Sequence, residues 1–284
     1  MIPNNKLLRA IEFAENAHKG QVRKGTDTPY IVHPKIVADL LGDVLCGEDV
    51  MIAGILHDTL EDTTTTELQI KELFGDRVLS LVKEVSEPDK SLSWEERKTH
   101  TIQSVNNISV EAATIMCADK LSNIIAMLDD LKSMAEVANG FGDFEVRFWS
   151  RFNAPVEKQK WYYISIADAL IHKLHGTDGQ FLAFELWNNV EIVFQNSHQE
   201  FLTQKMKAMK SNEEKLSFLE PYMEYAISEM NKKDFPTTHN MVKNNASKER
   251  LKEFMREHIL KYGGSTPVYL INEYEKIYNV NRPD

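Results

Sequence analysis

Cysteine is scarce in this sequence. The two present among 284 residues, Cys46 and Cys117, sit in apolar contexts with no metal-type spacing, so they read as small buried hydrophobes of a reducing cytoplasm rather than as ligands. No stretch approaches 18 apolar residues, which argues against a transmembrane span. The opening Met1-Ile2-Pro3-Asn4-Asn5-Lys6 lacks the basic and then apolar layout of a signal peptide, so a cytoplasmic location is expected. A basic stripe is missing as well: the formal net charge is −10, and the acidic excess lies in residues 1–196 while 197–284 are nearly neutral. That balance argues against a general nucleic-acid surface. A small anionic substrate stays open, because a metal and a few local cations reverse the field inside one cleft. Strand signals are weak, and no internal repeat or low-complexity tract is found.

What is present is helical periodicity, with 42% hydrophobic residues to bury. Asn5 can cap a first helix carrying Leu7, Leu8, Ile11, Phe13 and Ala14, with Gly20 past its end. A turn-rich loop, 20–30, precedes a second helix starting near Pro34. Thr66 and Gln69 have capping-box spacing ahead of a helix that Gly75 ends. Further helices are expected over 76–86, 94–106, 111–130, 156–175 and 181–195. The fold class is therefore all-α. The expected domains are a main domain over 1–196 and a helical accessory domain over 197–284, with runs at 199–209, 213–231, 247–262 and 267–278.

The densest chemistry lies in His57-Asp58-Thr59-Leu60-Glu61-Asp62, directly after the apolar run Val50-Met51-Ile52-Ala53-Gly54-Ile55-Leu56. Continued as one helix, this run puts His57 and Glu61 on one face and Asp58 and Asp62 on the next. Carboxylates are rarely buried unless paired or bound to metal, so a metal ion with a nearby acid or base accounts for the cluster. Two further pieces stand apart: Pro29-Tyr30-Ile31-Val32-His33-Pro34 and Cys117-Ala118-Asp119-Lys120-Leu121-Ser122-Asn123. His33, His57, Asp58 and Asp119 together supply two imidazoles and two carboxylates and leave coordination positions open. Such a set suits Mn, Fe, Zn or Ni without selecting among them.

These three pieces resemble the HD-domain phosphohydrolases, most closely the alarmone hydrolase branch related to the hydrolase half of RelA/SpoT proteins. The resemblance covers roughly residues 5–195. It takes in Gly20-Gln21-Val22-Arg23-Lys24, Trp94-Glu95-Glu96-Arg97-Lys98, Arg151-Phe152-Asn153 and Trp161-Tyr162-Tyr163. It implies a helical bundle and a manganese ion held by His33, His57, Asp58 and Asp119. It further implies that Glu61 and Asp62 orient or deprotonate the attacking water, that Arg23 and Lys24 face the nucleobase side, and that Asn123 lies near the ribose. The implied reaction removes the 3′-pyrophosphate of ppGpp or pppGpp. One departure stands out: where close relatives commonly carry an Arg and then Thr or Ser, this chain has Ile125 and Ala126.

Two other readings compete. One keeps the chemistry and changes the nucleotide, to an adenine alarmone or NADPH. The other is a regulatory or antitoxin-like binding protein acting through its tail, and the Glu61–Asp62 pair argues against it. The expected partner is a small-molecule nucleotide, with no nucleic acid and no membrane, and with residues 197–284 available for a homo-oligomer or a protein partner. Elsewhere the plain readings are the expectation. His18 packs or bonds locally; His100, His172, His175, His198, His239 and His258 lie at the surface; Trp149, Phe152, Trp161, Tyr162 and Tyr163 belong to the core.

Overall fold

The computed structural model describes residues 6–87, 91–137, 144–195 and 197–234. The chain divides into two compact units, Met1–Gln195 and Asn196–Asp284. The first unit contains α1 (Lys6–Ala17), α2 (Val32–Asp43), α3 (Glu48–Leu56), α4 (Thr59–Asp62), α5 (Glu67–Phe74) and α6 (Asp76–Val85). It continues with α7 (Trp94–Ser104), α8 (Val110–Val137), α9 (Phe144–Trp149), α10 (Val156–Leu174) and α11 (Gln180–Phe194). The architecture is all-α: among the described residues every regular element is a helix, and extended pairing is confined to an isolated antiparallel bridge between Val22 and Pro29. No helix among them is long and apolar enough to cross a membrane.

Local chemistry sets the boundaries. Thr66 and Gln69 form the expected capping box at the start of α5, and Gly75, at φ +95°, ends it. Ser93 and Glu96 build a second capping box on α7. The apolar run of α3 is buried on nearly every side, through Val50, Ile52, Ala53, Gly54, Ile55 and Leu56, as an all-round hydrophobic helix requires. Gly54 is needed there because a Cβ would fall 2.5 Å from Leu41 Cδ1. Its hydrogen lets α2 and α3 approach closely, and the metal-type histidines sit on α2 and at the end of α3.

The organising element is α8, whose 28 residues pack against α2, α3, α6, α9, α10 and α11. Its buried side runs from Ala112 through Asp119 and on to Leu121, Ser122, Ile124 and Met127. Trp187, Phe148, Leu41, Ile52, Ile55 and Leu56 of the other helices are fully buried, as is Ile115 of α8. Burial of each aliphatic or phenyl side chain of this kind contributes roughly 1.5–3 kcal/mol. This core fixes the backbone on which the polar residues are mounted.

The second unit contains α12 (Ser197–Ala208) and α13 (Asn212–Asp234). Ser211 accepts the Glu214 N–H while Glu214 accepts from the backbone of Lys210 and Ser211, which caps α13. The helical runs expected at 247–262 and 267–278, with His239 and His258, lie outside the described residues. Surface or core expectations need correction at His198, Trp161, Trp149, Phe152, His172 and His175. His198 is fully buried and Trp161 is 41% exposed. Trp149 and Phe152 are half-buried, Trp149 stacked on Phe194 at 5.5 Å. Tyr162 and Tyr163 are core residues as expected, His100 is exposed, and His172 and His175 are half-buried.

Candidate metal centre and nucleotide cleft

The helix expected to carry His57 through Asp62 is interrupted. α3 stops at Leu56, His57 is its C-cap, and Asp58 stands at φ −92°, ψ −6° before the four-residue α4 begins. The backbone at His57 and Asp58 is a turn rather than helix, and the Asp58 carbonyl then opens α4 by accepting the N–H groups of Glu61 and Asp62 at 3.2 and 2.9 Å. Thr59 supports the break by donating its buried hydroxyl to the Leu56 carbonyl at 2.7 Å. The turn lets adjacent residues His57 and Asp58 aim at one point, which a straight helix would set about 100° apart.

Four side chains converge there. His33 Nε2 lies 3.1 Å from Asp119 Oδ1 and 3.8 Å from Asp58 Oδ2. His57 Nε2 lies 2.9 Å from Asp58 Oδ2 and 3.7 Å from Asp119 Oδ1. Each imidazole is held from behind: His57 Nδ1 by the Gly54 carbonyl at 2.7 Å, His33 Nδ1 by Ser122 Oγ at 2.9 Å. A carbonyl accepts only, so His57 Nδ1 carries a proton and Nε2 faces the centre, the arrangement that outer contacts impose on metal-binding histidines. His57 Nε2 is buried and, despite its short approach to Asp58, has no aligned hydrogen bond among the described residues. His33, His57 and Asp58 offer ligand atoms all within 4.8 Å of one another. A divalent cation fits this donor set, with Asp119 alongside.

The electrostatics agree. Burial pushes the His33 imidazole below its ordinary value, which favours the neutral, ligating form. Burial also acts to lower His57, but the Asp58 carboxylate outweighs it and raises His57 to about 9. Against the cost of burial, His57 beside it holds Asp58 well below the usual carboxylate range. Asp119 is also held low despite burial, chiefly by Lys120, which donates to its Oδ2 at 2.6 Å. Asn123, one turn on, donates to Asp119 Oδ1 at 2.6 Å. A proton on His57 and a metal ion are alternative counter-charges for the same two carboxylates.

Two adjoining cavities surround the cluster. The smaller, about 260 Å³, is polar and is bordered by His33, His57, Asp58, Asp119, Glu61 and Asp62. The larger, about 680 Å³, is walled by Arg23, Lys24, Val32, Ile36, Ile125 and Phe152 among others. Arg23, Tyr30, His33 and Asn123 line both. All nine candidate residues therefore meet at one composite cleft. Arg23 donates to Asn123 Oδ1 at 2.7 Å, and Lys24 lies over Phe152 while donating to Asn153 Oδ1 at 2.9 Å. Ile125 and Ala126 fall on the wall of the larger cavity, beyond Asn123.

Several neighbours do not stand out in the sequence. Tyr30 donates its hydroxyl to Asp58 Oδ2 at 2.5 Å. Glu87 holds Arg97 at 2.7 Å and Lys98 at 2.6 Å on the rim of the small cavity. Arg151 donates to the Lys24 carbonyl at 3.1 Å and to Asp130 Oδ2 at 2.7 Å, fastening the 20–30 loop to α8. Tyr30, Arg97, Lys98 and Arg151 lie inside the motifs that carry the family resemblance, which is the signal they offer. Glu87 lies in none.

Comparison with known proteins follows the same lines. Residues 10–136 match the family model described as HD domain. A guanosine-3′,5′-bis(diphosphate) 3′-pyrophosphohydrolase, MESH1 of Drosophila melanogaster, is 38% identical over 125 residues, covering 43% of this chain and 69% of that protein. A solved structure described as a metazoan orthologue of SpoT that hydrolyses ppGpp is 28% identical, with a TM-score of 0.50 over 70% of this chain and 99% of that one. A Listeria monocytogenes crystal structure is 33% identical, with a TM-score of 0.50 over 60% of this chain and 99% of its own. Sequence, fold and the histidine–aspartate centre agree, and the chain belongs to the HD-domain hydrolases of RelA/SpoT type.

Proposed function

We propose that this protein hydrolyses the 3′-pyrophosphate of ppGpp or pppGpp, with water as the acceptor, giving GDP or GTP plus pyrophosphate. The observation that carries this reading is the shared wall of the two cavities: the pocket of the metal-type centre and its carboxylates adjoins a chamber of about 680 Å³ and has Arg23, Tyr30, His33 and Asn123 in common with it, and that chamber is within the usual size range for a small-molecule site. Relatives named for the same reaction support it.

In this reading His33, His57, Asp58 and Asp119 hold a divalent ion, with manganese as the assigned metal. Such an ion lowers the pKa of water and offsets charge on phosphoryl oxygens. Glu61 and Asp62 orient the attacking water and take its proton. Glu61 suits the task because burial, reinforced by the Asp58 and Glu87 charges, pushes its carboxyl up to about 7, near the pH at which a general base works best. Arg23 and Lys24 face the base, and Asn123, bonded to both Arg23 and Asp119, registers the ribose against the metal centre. Residues 1–196 form the hydrolase domain, at work in the cytoplasm. Residues 197–284 form a helical accessory domain offering a surface for self-assembly or a protein partner.

Ile125 and Ala126 favour one second reading, because at these two positions the wall of the larger cavity is apolar where a cation and a hydroxyl are expected. It keeps the reaction and changes the nucleotide. The test is turnover of ppGpp, pppGpp, an adenine alarmone and NADPH with and without Mn2+, with products identified. Release of pyrophosphate and GDP from ppGpp is expected. Failure on both guanosine substrates with turnover of another nucleotide moves the assignment to the second reading.

A further inference from the structure

Buried beside the metal-type centre is a histidine with no part in the chemistry so far. His18 follows the last residue of α1 and is 3% exposed. Its ring stacks on Tyr30, centroids 4.6 Å apart at 29°. Its Nδ1 lies 2.8 Å from Gln21 Oε1. Both partners reach the segment that carries the proposed chemistry. Tyr30 donates to Asp58 Oδ2, and Gln21 Nε2 donates to the Asp62 carbonyl at 2.8 Å.

The directions of these bonds are fixed by their ends. The Asp62 carbonyl accepts only, so the Gln21 amide must present its NH2 there and its oxygen to His18. His18 Nδ1 is therefore the donor. Its Nε2 is buried with no hydrogen-bond partner among the described residues, so the ring spends all of its polar capacity on Gln21. An apolar ring would satisfy the packing, and a small amide would satisfy the bond. Imidazole does both. The loop is closed around the same residues, with Gln21 N–H donating to the His18 carbonyl at 3.0 Å and Tyr30 N–H to the Gln21 carbonyl at 3.0 Å.

We propose that His18 is a positioning residue that sets both ends of the 58–62 segment, orienting the Asp58 carboxylate through Tyr30 and the carboxyl end of α4 through Gln21. The proposal rests on the metal-hydrolase reading above. His18 touches neither substrate nor metal; it acts through these two neighbours.

The two routes can be cut separately in the full-length protein. His18→Phe keeps a ring on Tyr30 and removes the donor to Gln21. His18→Asn keeps a donor and removes the ring. Each should lower kcat on ppGpp about tenfold with KM within about threefold, since Arg23, Lys24 and Asn123 are untouched. His18→Asn should also weaken Mn2+ binding to the protein, read by calorimetry without substrate. The decisive measurement is coupling: His18→Asn should cost little more in a Tyr30→Phe background, and His18→Phe little more in a Gln21→Leu background. Fully additive losses in kcat, or losses that follow melting temperature alone, overturn the positioning role. If His18→Asn does not fold, the His18→Phe and Gln21→Leu cycle decides the matter alone. Wild-type protein that binds no Mn2+ and cleaves no 3′-pyrophosphorylated nucleotide overturns the functional reading itself. Wild-type protein that does both, with His18 variants equal to it, overturns only the role of His18.

Discussion

Glu61 accepts the backbone N–H of Glu87 at 2.7 Å, a contact spanning 26 residues that brings the end of α6 against the short helix α4. The bond favours the carboxylate form, yet burial and the Asp58 and Glu87 charges prevail and leave the group poised at about 7.

This gives a pH prediction. A general base works as the carboxylate, so kcat/KM should rise with pH as Glu61 deprotonates and fall away below about 7. A bound divalent cation draws the value downward, so the limb should move to lower pH at metal saturation. Glu61→Gln should retain metal, lose at least about 10²-fold in kcat and flatten that limb. A pH–rate profile of wild type and variant checks both points, and an unchanged limb in Glu61→Gln removes the assignment.

In the proposed reading, metal retention depends on the carboxylates. Asp58→Ala and Asp119→Ala should each give a folded helical protein that has lost its metal and its activity. Elemental analysis with circular dichroism tests this, and wild-type metal occupancy in both variants rules out the ligand set. The Asp119 variant carries an added cost: it strips the counter-charge from Lys120, and breaking such a pair typically costs roughly 3–5 kcal/mol when it is fully buried. Its melting temperature should therefore fall further than that of Asp58→Ala.

Gly25 provides a test of the loop without touching a proposed substrate contact. Its φ is +77°, and a Cβ would lie 2.3 Å from Arg151 Nε. Gly25→Ala should cost roughly 1–2 kcal/mol from the backbone alone and push Arg151 off the Lys24 carbonyl. The expected kinetic result is a KM raised several-fold with kcat within about twofold, the pattern of lost uniform binding. A fall in kcat at constant KM would show that the loop serves the chemistry rather than substrate recognition.

Ile125 is half-buried on the wall of the larger cavity. Ile125→Arg should lower the KM for ppGpp about tenfold, because a charge-assisted contact to phosphate contributes roughly 1.5–3 kcal/mol. Steady-state kinetics decide it; an unchanged KM means that no phosphate lies within reach of this position.

Much of the fold was legible because helix signals are local. Apolar periodicity, the Thr66–Gln69 box and Gly75 located helices to within a few residues, although α8 runs on to Val137 where 130 was expected. The metal-type residues were legible because their chemistry is conspicuous in apolar surroundings. The break at His57–Asp58 was not, since no glycine or proline marks it and the residues that meet His57 and Asp58 there, His33 and Asp119, come from α2 and α8. His198 and Trp161 were misplaced for a related reason: tertiary packing determines burial, and a side chain's own polarity does not reveal which neighbours cover it. Glu87 could not be found at all, because its value comes from Arg97, Lys98 and Glu61, all well separated from it in sequence.

The length of α8 has a final consequence. One unbroken helix carries Asp119 at the metal-type centre, Asn123 at the junction of the cavities, Ile125 and Ala126 on the outer wall, and Asp130 at the Arg151 tether. In the proposed reading, reaction and recognition are thus read off a single ruler. Inserting one residue between Asp119 and Asn123 would swing everything beyond it by about 100° and part the nucleotide from the hydrolytic machinery in one step. Exchanging a side chain at 125 or 126 leaves the ruler intact. Substrate preference in this scaffold can therefore drift by substitution while the distance between choosing a nucleotide and cutting it stays constant.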